Sequence, residues 1–235
     1  IRRRPDGSWQ ARVGAWHLHS LAEHEFLDAE SGRAELLRWA RVYANRARIS
    51  SRRCIVLAET GGNRWRLWQV VHAEDSLRQR LAAALGAAAP EPLAEALLAA
   101  AARLLQAREQ FRRGDPLLPC RLGTIGIAVG HATGSAGTTA GAGRAAAGGT
   151  GSGAGEPAAV YIGLLPPRTW QPAAGEFETN DAALIRREIE PVLRPALSAL
   201  AFNVPGVLDA LAARQDADAS YRRPYEAIAN LLIAS

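Results

Sequence analysis

The chain has no lysine and no methionine: all twenty-eight basic residues among its 235 are arginine. The missing amine excludes Schiff-base chemistry and a Walker-type phosphate loop, both of which depend on a lysine. Arginine stays protonated, so it cannot serve as a base or an amine nucleophile, but it grips phosphates and carboxylates with two prongs. The same bias, beside abundant alanine, is also what a GC-rich genome produces without selection for function.

Cysteine is nearly absent as well. Cys54 and Cys120 lie far apart and supply no metal or disulfide framework, which fits a reducing, cytoplasmic setting. Long hydrophobic runs are missing. No stretch reaches the ~20 apolar residues that span a bilayer, and the most apolar one, Leu93 to Leu105, carries Glu95 and Arg103. No membrane partner is expected. The first residue is Ile1 rather than Met, as expected for a piece of a longer, bacterial-type multidomain protein.

What remains is ample for folding. With 48% hydrophobic residues, the chain can fill one large or two small cores. Its net charge of +5 permits acidic partners without requiring them.

The first third reads as strands. Trp9, Ala11 and Val13 alternate with Gln10 and Arg12, and after a one-residue shift near Gly14 the alternation resumes at Trp16 and Leu18. Cys54 to Glu59 and Trp65 to Val71 flank Thr60-Gly61-Gly62-Asn63, a tight-reversal sequence that predicts a hairpin.

The remainder reads mainly as helices. Leu77, Leu81 and Leu85 follow the capping residues Asp75 and Ser76. After Pro92, residues Leu93, Leu97, Ala100, Leu104, Ala107 and Phe111 trace one stripe. Two short strands, Thr124 to Val129 and Ala159 to Leu164, enclose residues 131–157, a Gly/Ala/Ser/Thr insertion too poor in apolar groups to order itself. Asn180 and Asp181 cap a helix that Pro191 and Pro195 are expected to break or restart. Short helices near 206–213 and 224–233 end the chain.

Three constellations carry possible chemistry. Seven arginines, from Arg33 to Arg53, share their segment with one acid, Glu35. If residues 38–52 were helical, Arg38, Arg41, Arg48 and Arg52 would line one face and attract nucleic-acid phosphate. They would equally be neutralised by the upstream Glu23, Glu25, Asp28 and Glu30, leaving an inert surface. Trp65, flanked by Arg64 and Arg66, suits a protein-anchoring contact, as does Trp170, whereas Trp9, Trp16 and Trp68 read as sheet-packing residues. His17, His19 and His24 are weak metal-ligand candidates beside Glu23 and Glu25, because no recognised ligand spacing supports them. No metal or other cofactor is expected.

The order of these elements resembles the bilobal protein-kinase-like fold. The resemblance implies an α+β architecture: a β-rich N-terminal lobe over 1–74 and a mainly helical C-terminal lobe over 75–235 containing a small β-hairpin. In that alignment Arg33 to Val42 overlaps the third strand, with Arg38 at its lysine position. The hairpin at 54–71 forms the next two strands, and His72 to Asp75 the hinge. The helical glutamate partner is missing, since residues 39–54 hold no acid. Pro116 and Arg121 fall at the catalytic aspartate and metal-binding asparagine positions, unless a one-residue slip makes Asp115 the acid. The metal-binding aspartate falls near Gly163. Magnesium requires oxygen ligands, and phosphoryl transfer rests on that metal. The resemblance therefore implies a non-catalytic, pseudokinase-like scaffold or regulatory module whose partner is another protein or a neighbouring domain. An arginine-rich nucleic-acid-binding domain is the alternative.

Overall fold

The computed structural model describes residues 1–44, 49–50, 52–87, 89–113, 117–127, 159–166, 171–172, 177, 180–197 and 203–234. The insertion at 131–157, Arg48, Asp115, Pro116 and Trp170 lie outside them. The architecture is α+β.

The alternating first third gives β1 (Arg2–Arg3), β2 (Trp9–Val13), β3 (Trp16–Ser20), β4 (Glu25–Phe26), β5 (Arg53–Gly61) and β6 (Arg64–His72), all in one antiparallel sheet. β1, β2 and β3 pair in succession, and β3 pairs with β6. β4 takes the same edge of β6 further along, while β5 pairs with its other edge. The expected shift at Gly14 is in fact a reversal: Val13 pairs with Trp16, and Gly14 has φ 58°. Glycine reaches that left-handed region without a Cβ clash. The reversal keeps Trp9, Ala11, Val13, Trp16 and Leu18 on one face. The expected hairpin between β5 and β6 forms, with positive φ at Gly61, Gly62 and Asn63.

Arg33 to Val42, expected as the third strand, instead lies within helix α1 (Ala29–Ala44). Asp28 opens it by accepting hydrogen bonds from the Ser31 amide at 2.7 Å and from the Ser31 hydroxyl at 2.9 Å, the local bonding that favours helix starts. Leu36, Trp39, Val42 and Tyr43 then fall at helical spacing and pack into the core. The helix lies close on the sheet at Gly32, where an added Cβ would sit 2.8 Å from the Leu57 side chain. The third strand in chain order is β3.

A capping box opens α2 (Leu77–Gly86): the Gln79 amide donates to Ser76 Oγ at 3.3 Å, and the Ser76 amide donates to Gln79 Oε1 at 2.8 Å. The 22-residue α3 (Pro90–Phe111) buries the expected stripe from Leu93 to Phe111 and forms the centre of the helical half. It packs against α2 and against α5 (Val204–Ala217) and α6 (Arg222–Ile233).

The predicted short hairpin is β7 (Ile125–Ile127) with β8 (Ala159–Tyr161). α4 (Asp181–Leu197) runs on through Pro191 and Pro195, contrary to the expected break. Proline removes a backbone hydrogen bond, but Leu184, Ile185, Ile189 and Leu193 are buried on one stripe spanning the first proline. That burial offsets the loss. Among the described residues no helix is long and apolar enough to cross a membrane.

Candidate functional site

The sheet has two faces of opposite character. The face that includes Leu57, Leu67 and Gln69 packs toward α1 and the helical half. Its reverse is apolar and open. Cross-strand pairing sets Val13 beside Trp16, Ala11 beside Leu18, Leu18 beside Val70, Cys54 beside Val70, and Val56 beside Trp68. Val13 is 65% exposed, Trp16 41% and Val56 44%, and Cys54 is an exposed free thiol. Trp9, Ala11, Leu18, Trp68 and Val70 are half-buried around them. Contiguous apolar surface of this kind marks interaction sites in soluble proteins.

Its rim is basic. The Arg3 and Arg66 guanidinium groups stand 5.8 and 5.4 Å from the Trp9 ring. Arg66 is also bonded to Glu25, which accepts from Arg64 at 2.8 Å as well. These two arginines hold the Glu25 carboxyl below its ordinary value, the Arg64 hydrogen bond contributing most. Arg52, at the foot of β5, is exposed and forms no ion pair among the described residues.

The inner seam joins sheet to hairpin. The Arg53 guanidinium donates to the Gly163 and Tyr161 carbonyls, both at 3.0 Å, and lies 5.7 Å from the Tyr43 ring and 5.8 Å from the Tyr161 ring. Burial pushes the Tyr43 hydroxyl up to about 12, against the opposing pull of Arg53. The Ser50 amide donates to the Tyr161 carbonyl at 3.0 Å, and the Ser50 hydroxyl bonds Glu74. Gln69 engages the Leu165 backbone at both its polar atoms. Gly163 admits no side chain: an added Cβ would meet Tyr161 Oη and Thr124 Cγ2, each at 2.8 Å.

The expected arginine stripe does not form. Helix α1 ends at Ala44, so Arg38 and Arg41 lie on it while Arg52 precedes a strand. Arg48 lies outside the described residues. Arg38 is paired through Nη2 with the buried Glu35 at 2.7 Å and stacks 4.3 Å from the Trp39 ring. Position 38 is thus helical, and the helix carries its glutamates at 30 and 35, before that position rather than after 39. Arg41 is exposed. Trp65 is half-buried on the inner face, not an exposed anchor, whereas Trp16 stands out on the open one. Glu25 turns to Arg64 and Arg66 rather than to the α1 arginines.

His17 and His19 stack on one face of β3, their centroids 6.4 Å apart. His24 is buried in a short helical turn, 6.2 Å from the Trp39 ring. Among the described residues no three His, Cys, Asp or Glu side chains gather as a metal site. Sequence reasoning missed the open apolar face because it read the first Gly14 turn as a shift. The signal was present: Gly14-Ala15 is a two-residue loop between an arm carrying Trp9, Ala11 and Val13 and an arm carrying Trp16 and Leu18.

Compared with protein-family models, curated proteins and solved structures, the chain matches none.

Proposed function

We propose that the chain is a non-catalytic, kinase-like binding module with a β-rich and a helical lobe, acting by docking another protein or a neighbouring domain. The observation that carries this reading is the open apolar sheet face bearing Val13, Trp16, Cys54 and Val56. The exposed Arg3 and Arg52 on its rim favour one kind of occupant: a polypeptide segment with an apolar centre and acidic flanks.

The seam supports the absence of phosphoryl transfer. In the kinase resemblance the metal-binding aspartate falls near Gly163, which is packed too tightly for a side chain and has its carbonyl taken by Arg53. The inner face of β3 presents imidazoles, not an amine.

The test has two arms. ATP is expected to give no magnesium-dependent thermal shift and no autophosphorylation; metal-dependent ATP binding with phosphoryl transfer would overturn the reading. Synthetic peptides with an apolar core and acidic flanks are expected to bind, and a Trp16→Glu, Val56→Glu double variant to lose that binding while keeping its circular dichroism. Equal binding by basic-flanked peptides counts against the assigned occupant.

A further inference from the structure

Beneath the sheet, on the face opposite the apolar patch, basic side chains meet with no acid between them. Register sets Arg2 against Gln10, Gln10 against His19, and Arg12 against His17. Residues opposite one another in antiparallel strands share a face. With Ile1 and Ala11, these five line a cavity of about 560 Å³. The two imidazole planes differ by 3°, so their ring N–H groups lie in parallel planes. Arg12 Nε donates to the Gly14 carbonyl at 3.0 Å, which fixes the guanidinium at the hairpin end.

Elsewhere among the described residues three pairs of arginines each share one acid. Arg64 and Arg66 share Glu25, Arg108 and Arg223 share Asp181, and Arg121 and Arg187 share Glu188. In this cavity Arg2 and Arg12 make no ion pair among the described residues, and no carboxylate is in the lining. Like charges held together repel, and a bound anion removes the repulsion. Arginine forks and imidazole N–H groups are the donors that suit a tetrahedral oxyanion, and the Gln10 amide adds a neutral donor.

We propose that this cavity binds a phosphate-class oxyanion, held by Arg2, Arg12, His17 and His19 without a metal ion. The volume accommodates two linked phosphate groups, so inorganic pyrophosphate is the probe. Isothermal titration in chelator-containing buffer is expected to show saturable binding, weakened about tenfold in Arg12→Gln, the loss of one charge-assisted contact. A His17→Gln, His19→Gln double variant is expected to weaken it similarly. Imidazole resonances of His17 and His19 should move on titration while those of His72, on the other face of the sheet, stay fixed. Absence of saturable binding, binding that both variants leave unchanged, or binding of citrate in place of pyrophosphate would each overturn the proposal.

Discussion

Gln69 on β6 holds both backbone polar atoms of Leu165: its Nε2 donates to the Leu165 carbonyl at 3.2 Å, and its Oε1 accepts from the Leu165 amide at 2.8 Å. Gln69 and Leu165 are each 1% exposed, so no water competes for these groups. One side chain thereby ties the central strand of the sheet to the segment leaving β8. With Arg53 on the Tyr161 and Gly163 carbonyls, it fastens the sheet to the helical half through buried and part-buried hydrogen bonds.

Gln69→Leu keeps the volume but strands an amide and a carbonyl in a dry interior. Each unsatisfied group costs about 1–3 kcal/mol, so the variant should lose about 2–6 kcal/mol in urea unfolding. Gln69→Glu should lose at least as much at neutral pH, because it buries a carboxylate whose second oxygen faces the Leu165 carbonyl with no proton to donate. Equal stability of Gln69→Leu and the parent chain would show that this tie contributes nothing.

Gly163→Asp introduces a carboxylate near the position where the kinase resemblance would have a metal ligand. The Cβ it introduces would lie 2.8 Å from Tyr161 Oη, itself bonded to the Leu164 carbonyl at 2.5 Å. Overpacking of this sort costs about 1–3 kcal/mol. The variant should melt earlier and gain no magnesium-dependent ATP binding. Gly163→Ala separates the two effects: it should share the destabilisation without the charge.

The sequence announced the strands and helices that local chemistry decides. Gly61, Gly62 and Asn63 dictated the β5–β6 reversal, Ser76 and Gln79 the start of α2, and the apolar stripe of α3 the middle of the helical half. It misled where tertiary packing decides. Residues 33–42 contain helical spacing as readily as strand, and only the fit of Gly32 against Leu57 and of Trp39 into the core selects the helix. The candidate site was less legible. Arg38 read in sequence as part of a stripe open to phosphate or to the upstream acids but meets Glu35, and Trp65 faces inward because it shares the Leu67 and Gln69 face of β6, which leaves Trp68 on the open one. No linear pattern brings Arg2, Arg12, His17 and His19 together; the β2–β3 register does.

His19 gives a pH dependence of defined sign. Burial, with help from His17 and Arg4, lowers its folded pKa below the ordinary 6.5. Above that value both folded and unfolded forms are neutral. As pH falls below it, the unfolded chain takes up a proton that the folded chain refuses, so stability declines toward the lower, folded pKa. Urea midpoints at a series of pH values down from neutrality should fall more steeply for the parent chain than for His19→Gln. If both slopes match, His19 titrates alike in the two states.

The two thiols offer the most direct reading of the open sheet face. Cys54 is exposed between Val56 and the loop before β5, opposite Val70. Cys120 is fully buried, with its Sγ 3.5 Å from the Leu104 carbonyl. Thiolate access governs alkylation, so a maleimide should modify one thiol per native chain rapidly, and the second only after unfolding. Cys54→Ser should abolish the fast phase and leave stability within about 0.5 kcal/mol, as surface substitutions do. A segment docked across the sheet would cover Val70 and Val56 together with the thiol between them. Acid-flanked apolar peptide should therefore slow the fast phase, and Trp16→Glu should restore it without touching the cysteine. Protection that survives Trp16→Glu would place the peptide elsewhere, and a native chain with two fast thiols would mean that the packing around Cys120 is not closed.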